Sequence, residues 1–185
     1  ERITLLSPSG SEFPHFAETG WVSSDTSMSL PSKNTKWSLI DGKDLTPATP
    51  LLFQWKNGQG LIFQREYKID NNYMITVTET VINNSKNIVT LHPYSAVARR
   101  GEPEVSDKRI IVHDGPLGYI GGELEEVDYG DLDDEASRSI NSQEGWIGVG
   151  QNDWLVRVLP ETVSGKTSRF IQRKRGKLLS IRSDE

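Results

Sequence analysis

The side chains able to move protons at neutral pH are few. Histidine is the one residue type whose ordinary pKa lies in that range, and the chain has three, His15, His92 and His113. Proton-transfer catalysis would need one of them to converge with a carboxylate in a cleft. His113 precedes Asp114-Gly115-Pro116, where the Gly-Pro pair predicts a turn. It reads as a strand-end histidine that hydrogen-bonds a loop. His92-Pro93 falls within an alternating segment and reads as a packed or edge residue. Asp128, Asp131, Asp133 and Asp134 supply hard oxygen ligands of the kind calcium takes. Their spacing lacks the D-x-D-x-D-G order and the closing bidentate Glu at the twelfth position, so they read as a solvated acidic loop. There is no cysteine, which removes thiol nucleophiles, disulfides and Cys-ligated zinc. No G-x-S-x-G elbow supports a serine nucleophile. Ser164-Gly165-Lys166-Thr167 keeps only the last three positions of a phosphate loop and lacks its first glycine. No catalytic residue, metal ligand or cofactor site is expected, and no binding residue is assigned.

What would position such groups is a β framework. Leu51, Phe53 and Trp55 alternate with their neighbours, and Asn57-Gly58-Gln59-Gly60 makes a turn. Leu61, Phe63, Tyr67 and Ile69 resume the period of two, with Gln64, Glu66 and Lys68 on the other face. Asp70-Asn71-Asn72 turns the chain again, and Tyr73, Ile75, Val77 and Val81 form the next inward row against Thr76, Thr78 and Thr80. After Asn83-Asn84-Ser85 come Val89, Leu91 and Val97. Such runs, rich in β-branched and aromatic residues and joined by Asn/Gly turns, predict an antiparallel meander with one buried face. No segment before residue 160 carries a helical apolar stripe over three turns. The best local candidate is a short turn near Asp131–Ser139, whose acids suit a helix N-terminus.

With 185 residues, 35% hydrophobic and 25% charged, the chain is sized for a single globular domain with a real core. A formal net charge of −5 argues against nucleic acid as a partner. No window approaches a membrane span. The chain begins at Glu1 without a Met start or signal-peptide pattern, and reads as a piece of something longer. Residues 123–135 hold eight acids and no base, and residues 166–177 hold six bases and no acid. Each reads as a solvated loop or edge. The tail bases (Lys166, Arg169, Arg173, Lys174, Arg175, Lys177 and Arg182) would suit anionic headgroups. Positive charge favours cytoplasmic loops, however, and a solubilising terminus is the simpler reading.

Four ordered segments resemble one family. Gly145-Trp146-Ile147-Gly148, followed by Trp154-Leu155 and Pro160, resembles a signature of the first periplasmic domain of YidC, a bacterial inner-membrane protein insertase of the YidC/Oxa/Alb family. Ile111-Val112-His113-Asp114-Gly115-Pro116-Leu117-Gly118, Glu125-Glu126-Val127-Asp128-Tyr129 and Tyr73–Val81 are similar to three more of its stretches. The opening Leu5-Leu6-Ser7-Pro8-Ser9-Gly10 looks like an alphaproteobacterial version. The tail after Gly165 matches no motif. The resemblance implies an all-β domain, a β-supersandwich of galactose mutarotase-like type: two large antiparallel sheets face to face. It implies that residues 1–185 form a single periplasmic β-sandwich domain fragment, with the transmembrane insertase core absent. It further implies no enzyme activity, a place on the periplasmic side of the inner membrane, and the Sec translocon accessory subunits and nascent membrane proteins as partners. An exposed strand edge or sandwich cleft would hold an extended peptide. Kinship with mutarotases does not carry their function.

The rival reading is a carbohydrate-binding or mutarotase-like module, which needs clustered exposed aromatics with convergent polar groups. Trp21, Trp37, Trp55, Trp146 and Trp154 sit mostly in strand periodicity and read as core. Trp146 in particular is expected to be largely buried.

Overall fold

The computed structural model describes residues 6–99, 115–127, 145–151, 154–159, 168–173 and 178–183, and every element in them is a β-strand. The strands are β1 (His15–Val22), β2 (Ser38–Asp41), β3 (Leu51–Lys56), β4 (Leu61–Ile69), β5 (Ile75–Asn83), β6 (His92–Arg99), β7 (Gly115–Ile120), β8 (Glu123–Glu126), β9 (Gly145–Gln151), β10 (Trp154–Val158), β11 (Ser168–Arg173) and β12 (Leu178–Ser183). They form three four-stranded sheets, ordered β1-β6-β12-β11, β10-β9-β7-β8 and β2-β3-β4-β5. The expected helical turn near Asp131–Ser139 lies outside the described residues. Far-ultraviolet circular dichroism should show a strand-dominated spectrum, with helix well below the roughly one third usual in globular proteins. A spectrum with a third helix or more would contradict the fold.

The chain divides into two compact units, residues Trp21–Leu91 and the remainder, Glu1–Gly20 with His92–Glu185. In the larger unit, β9 is the centre of its sheet, paired antiparallel with β7 on one side and β10 on the other. Its period of two sends Ile147 and Val149 inward, 0% and 2% exposed, into a cluster with Ile120 of β7 and Val97 of β6. Val156 and Val158 of β10 pack on the same cluster. Val97 comes from the other sheet of this unit, so the two sheets share a core. The Gly-Trp-Ile-Gly stretch has a steric logic. A Cβ on Gly145, whose φ is +143°, would lie 2.1 Å from the Tyr119 carbonyl oxygen. One on Gly148 would lie 2.5 Å from that of Val156. The neighbouring backbones approach this closely only because both positions lack side chains.

One expectation is corrected here. Gly115-Pro116 does not turn the chain. It opens strand β7, with Gly115 opposite Gly150 and Pro116 opposite Val149. The charge blocks, expected as solvated loops or edges, are in their described parts edges. The acids at 123–126 are edge strand β8, and the basic tail contributes β11 and β12, with β12 paired to β6.

The smaller unit is the expected meander, except that Tyr73 and Ile75, expected in its inward row, are exposed, with Tyr73 in the turn before β5. β3, β4 and β5 pair in continuous antiparallel register, and β2 adds to β3 with a register shift between Leu39 and Asp41. The inward row starts at Leu61 and Phe63, 3% and 0% exposed. Phe63 lies against the Trp55 ring at 5.7 Å, and Phe53 meets Tyr67 edge-on at 5.9 Å, arrangements favoured by the ring quadrupoles. The β3–β4 turn is held by Asn57, whose Oδ1 accepts from the backbone N–H groups of Gln59 (2.8 Å) and Leu61 (3.0 Å). Where the chain enters and leaves the unit, the Ser23 hydroxyl donates to the Thr90 carbonyl at 3.2 Å.

Candidate functional site

The most developed side-chain constellation lies on the inward row of the meander. The register pairs Arg65 of β4 with Glu79 of β5. The N–H of Asn84 donates to the carbonyl of Gly60, and that of Asp70 to the carbonyl of Met74. Ladder bonds in this hairpin therefore fall on even-numbered pairs, and Arg65–Glu79 is a non-hydrogen-bonded pair, the kind whose side chains approach most closely. Arg65 Nε donates to Glu79 Oε1 at 2.9 Å, and its terminal nitrogen forms an ion pair with the same oxygen. Trp21 Nε1 donates to Glu79 Oε2 at 2.8 Å. The Trp37 ring covers the guanidinium at 4.9 Å from its centroid, within cation–π range. The side chains of Arg65 and Glu79 are only 17% and 13% exposed. Burial lowers the Arg65 pKa, but the Glu79 carboxylate, the Tyr67 hydroxyl and the hydrogen bonds to both outweigh it, so the group is held above its ordinary value.

Sequence reasoning missed this cluster because it took the inward rows as apolar and passed over their charged members. The signal was present: Arg65 lies between Phe63 and Tyr67 in the odd row of one strand, and Glu79 between Val77 and Val81 in that of the next. Opposite charges in the buried rows of consecutive strands predict a cross-strand pair. The tryptophans were misplaced for the same reason. Trp21, Trp37, Trp55 and Trp146 are half-buried and are not core. Trp146 faces away from the Ile147 cluster, and the Arg157 guanidinium lies 5.6 Å from its ring centroid.

Of the proton-transfer candidates, His15 is buried in β1 at 7% exposure and His92 is half-buried at the start of β6. His113, Asp114, the acids Asp128, Asp131, Asp133 and Asp134, and Ser164–Thr167 lie outside the described residues. Among the described residues no three of His, Asp and Glu gather closely enough to hold a metal ion. The Arg65–Glu79 cluster cannot take their place as a catalytic centre. Both Glu79 oxygens are already engaged by Arg65 and Trp21, and the guanidinium does not release a proton in proteins. This arrangement ties Trp21 and Trp37 to the β4–β5 hairpin and offers no convergent free polar group.

A second feature lies at the end of the same hairpin. Asp70 Oδ1 accepts from the backbone N–H groups of Asn72 and Met74, both at 2.8 Å. This cap holds Tyr73 at φ +63°, in the left-handed region rare for aromatic residues. Tyr73 is 85% exposed, followed by Met74 and Ile75, also exposed. Beside them, on the β4 side of β5, is a cleft of about 330 Å³ lined by Thr46, Pro47, Ala48, Pro50, Lys68, Ile69, Asp70, Met74 and Thr76.

Comparison with known proteins gives one answer. The family model for the YidC periplasmic domain matches residues 1–183. The membrane protein insertase YidC of Bradyrhizobium diazoefficiens is 35% identical over 183 residues, covering 98% of this chain and 29% of that protein. Its namesake from Methylorubrum extorquens is 37% identical over 185 residues, covering 95% and 30%. That of a Ruegeria species is 38% identical over 169 residues, covering 85% and 28%. The chain thus spans less than a third of the length of these relatives. With a whole-length match to the family model and relatives at this identity, the chain belongs to the YidC periplasmic domain family.

Proposed function

We propose that this chain is the accessory periplasmic domain of an inner-membrane protein insertase, assisting insertion and folding of membrane proteins from outside the transmembrane core. The single observation that carries this reading is the family match over residues 1–183. The family is non-enzymatic and its place is periplasmic. One family model over nearly the whole chain also supports reading residues 1–185 as one periplasmic module, with the β-supersandwich as its architecture. The partners proposed are the Sec accessory subunits and segments of nascent membrane proteins. The carbohydrate-binding alternative draws on the half-buried tryptophans around Arg65 and Glu79. It is disfavoured because the polar atoms there are spent on one another.

Contacts with the Sec subunits are assigned to the charged edges, the acidic strand β8 and the basic segment 166–177. Opposite charges on exposed elements speed encounter and select orientation more than they add affinity. With a Debye length of about 8 Å at physiological ionic strength, such contacts weaken as salt rises. Crosslinking to the Sec accessory subunits across a salt series should fall with salt, and should fall further when Arg173, Lys174 and Arg175 are all changed to Ala. Contacts indifferent to both would move the surface elsewhere. Absence of any contact, with Sec subunits or with nascent membrane proteins, would defeat the platform reading.

A further inference from the structure

The three sheets of the described residues present six edge strands: β1 and β11, β10 and β8, β2 and β5. Natural proteins blunt such edges with charge, proline, bulges or shortness, because the open row of N–H and C=O groups otherwise recruits another strand. Five of the six follow this rule. β1 carries exposed Glu18, and β8 is Glu-Leu-Glu-Glu. β10 carries exposed Arg157, and β11 has Arg169 and Arg173 in its sequence. β2 is four residues long, ends in exposed Asp41 and shifts register.

β5 breaks the rule. It is nine residues long, Ile-Thr-Val-Thr-Glu-Thr-Val-Ile-Asn, with no proline and no register shift against β4. Its single charge, Glu79, is turned inward onto Arg65 and Trp21. Its exposed side chains, Ile75, Thr76, Thr78, Thr80, Ile82 and Asn83, are all uncharged. Because the ladder to β4 uses the even-numbered residues, the N–H and C=O groups of Ile75, Val77 and Val81 are directed to the outer edge. At the beginning of this strand stand the exposed Tyr73, Met74 and Ile75.

We propose that the outer edge of β5 accepts an extended, uncharged, apolar-rich polypeptide segment as an additional strand, its apolar side chains meeting the exposed Tyr73, Met74 and Ile75 at the start of β5. Charge selects this occupant: a nine-residue edge stripped of outward charge admits an uncharged segment without desolvating an ion, whereas the other edges exclude one. Backbone bonds provide the attachment and the exposed apolar side chains at the start of β5 provide the preference, the division of labour seen in strand addition generally. The proposal deepens the platform reading and rests on it for the source of the segment, a membrane protein stretch before it is inserted.

The test uses the 185-residue chain and a fluorescent, end-capped nonapeptide of alternating valine and threonine, followed by anisotropy. Two variants address the edge and spare the β4 ladder. Thr78→Lys adds an outward charge at an exposed side chain. Ile75→Pro removes one outward N–H at the first strand position, where proline is tolerated. Each variant should weaken peptide binding by about tenfold, the effect of one or two lost backbone bonds and the desolvation they relied on, with the circular dichroism spectrum unchanged. The proposal fails if the wild type does not bind the peptide or if both variants bind as well as it does. It also fails if the wild type self-associates and Thr78→Lys abolishes that association, since the edge then belongs to a second copy. Crosslinks to Sec subunits or nascent membrane proteins that persist in Thr78→Lys would leave the platform reading standing while the edge proposal falls.

Discussion

Replacing Glu79 by alanine is expected to destabilise the Trp21–Leu91 unit by roughly 3 kcal/mol, the low end of the range for stripping one partner from a buried ion pair. The size follows from what is left behind. Arg65 stays charged because a guanidinium cannot escape its burial by deprotonating, and its side chain is 17% exposed. The Trp21 N–H loses its 2.8 Å acceptor at the same time. Glu79→Gln should cost less, since an amide oxygen can still receive the indole. Arg65→Met with Glu79→Leu should recover most of the loss, because replacing both partners by apolar groups of similar volume removes the stranded charge along with the pair. Urea unfolding followed by tryptophan fluorescence reads all four chains. A Glu79→Ala variant within about 0.5 kcal/mol of the parent, the range of ordinary surface substitutions, would show that the pair is solvated and that the cluster does not hold the unit together.

The contrast between this pair and the rest of the meander shows how far the sequence could be read. Residues 51–83 were legible because one buried face imposes a period of two, and a slip by one residue would turn that whole face to water. Turns at Asn57–Gly60 and Asp70–Asn72 then set the register. Strands without that pattern were not legible. In β6, Ala96, Val97 and Ala98 are all buried, so no alternation distinguishes its faces. In β7, Gly115, Pro116 and Gly118 carry turn chemistry in isolation, and the neighbouring β9 and β8 make them a strand. Sequence statistics assign such residues to loops because they leave out the partner.

Family membership was legible on other grounds. The family resemblance rested on short ordered segments, and one of them now has a physical reason, since Gly145 and Gly148 are positions where any Cβ would strike a neighbouring carbonyl. What a sequence pattern could not supply was the difference among sheet edges. Charge on β8 and β11 was visible as composition, but its meaning depends on those strands being edges. The neutrality of β5 likewise becomes informative only once Glu79 is seen to point inward.

The second large effect concerns β9. Ile147→Ala is expected to cost roughly 2–5 kcal/mol, as for isoleucine truncations in closed cores. Ile147 is fully buried, and its register partners are Gly118 on β7 and Val158 on β10. Gly118 has no side chain to move into the space an alanine would leave, so the cavity cannot collapse from that side. Trp146, the larger residue and the one expected from sequence to be core, should matter less. It faces the other side of the sheet, across from Tyr119, which is 44% exposed. Its most specific contact is the Arg157 guanidinium at 5.6 Å, worth about 0.5–1 kcal/mol where solvent reaches it. Gly148 makes that contact possible: it is the register partner of Arg157 and leaves the arginine room to extend over the ring. Thermal melts of the two single variants decide the matter. For a chain of this size the isoleucine change should lower Tm by about 4–20 °C, at 2–4 °C per kcal/mol, and the tryptophan change by less than half as much. An equal or reversed order would place Trp146 inside and turn β9 over in its sheet.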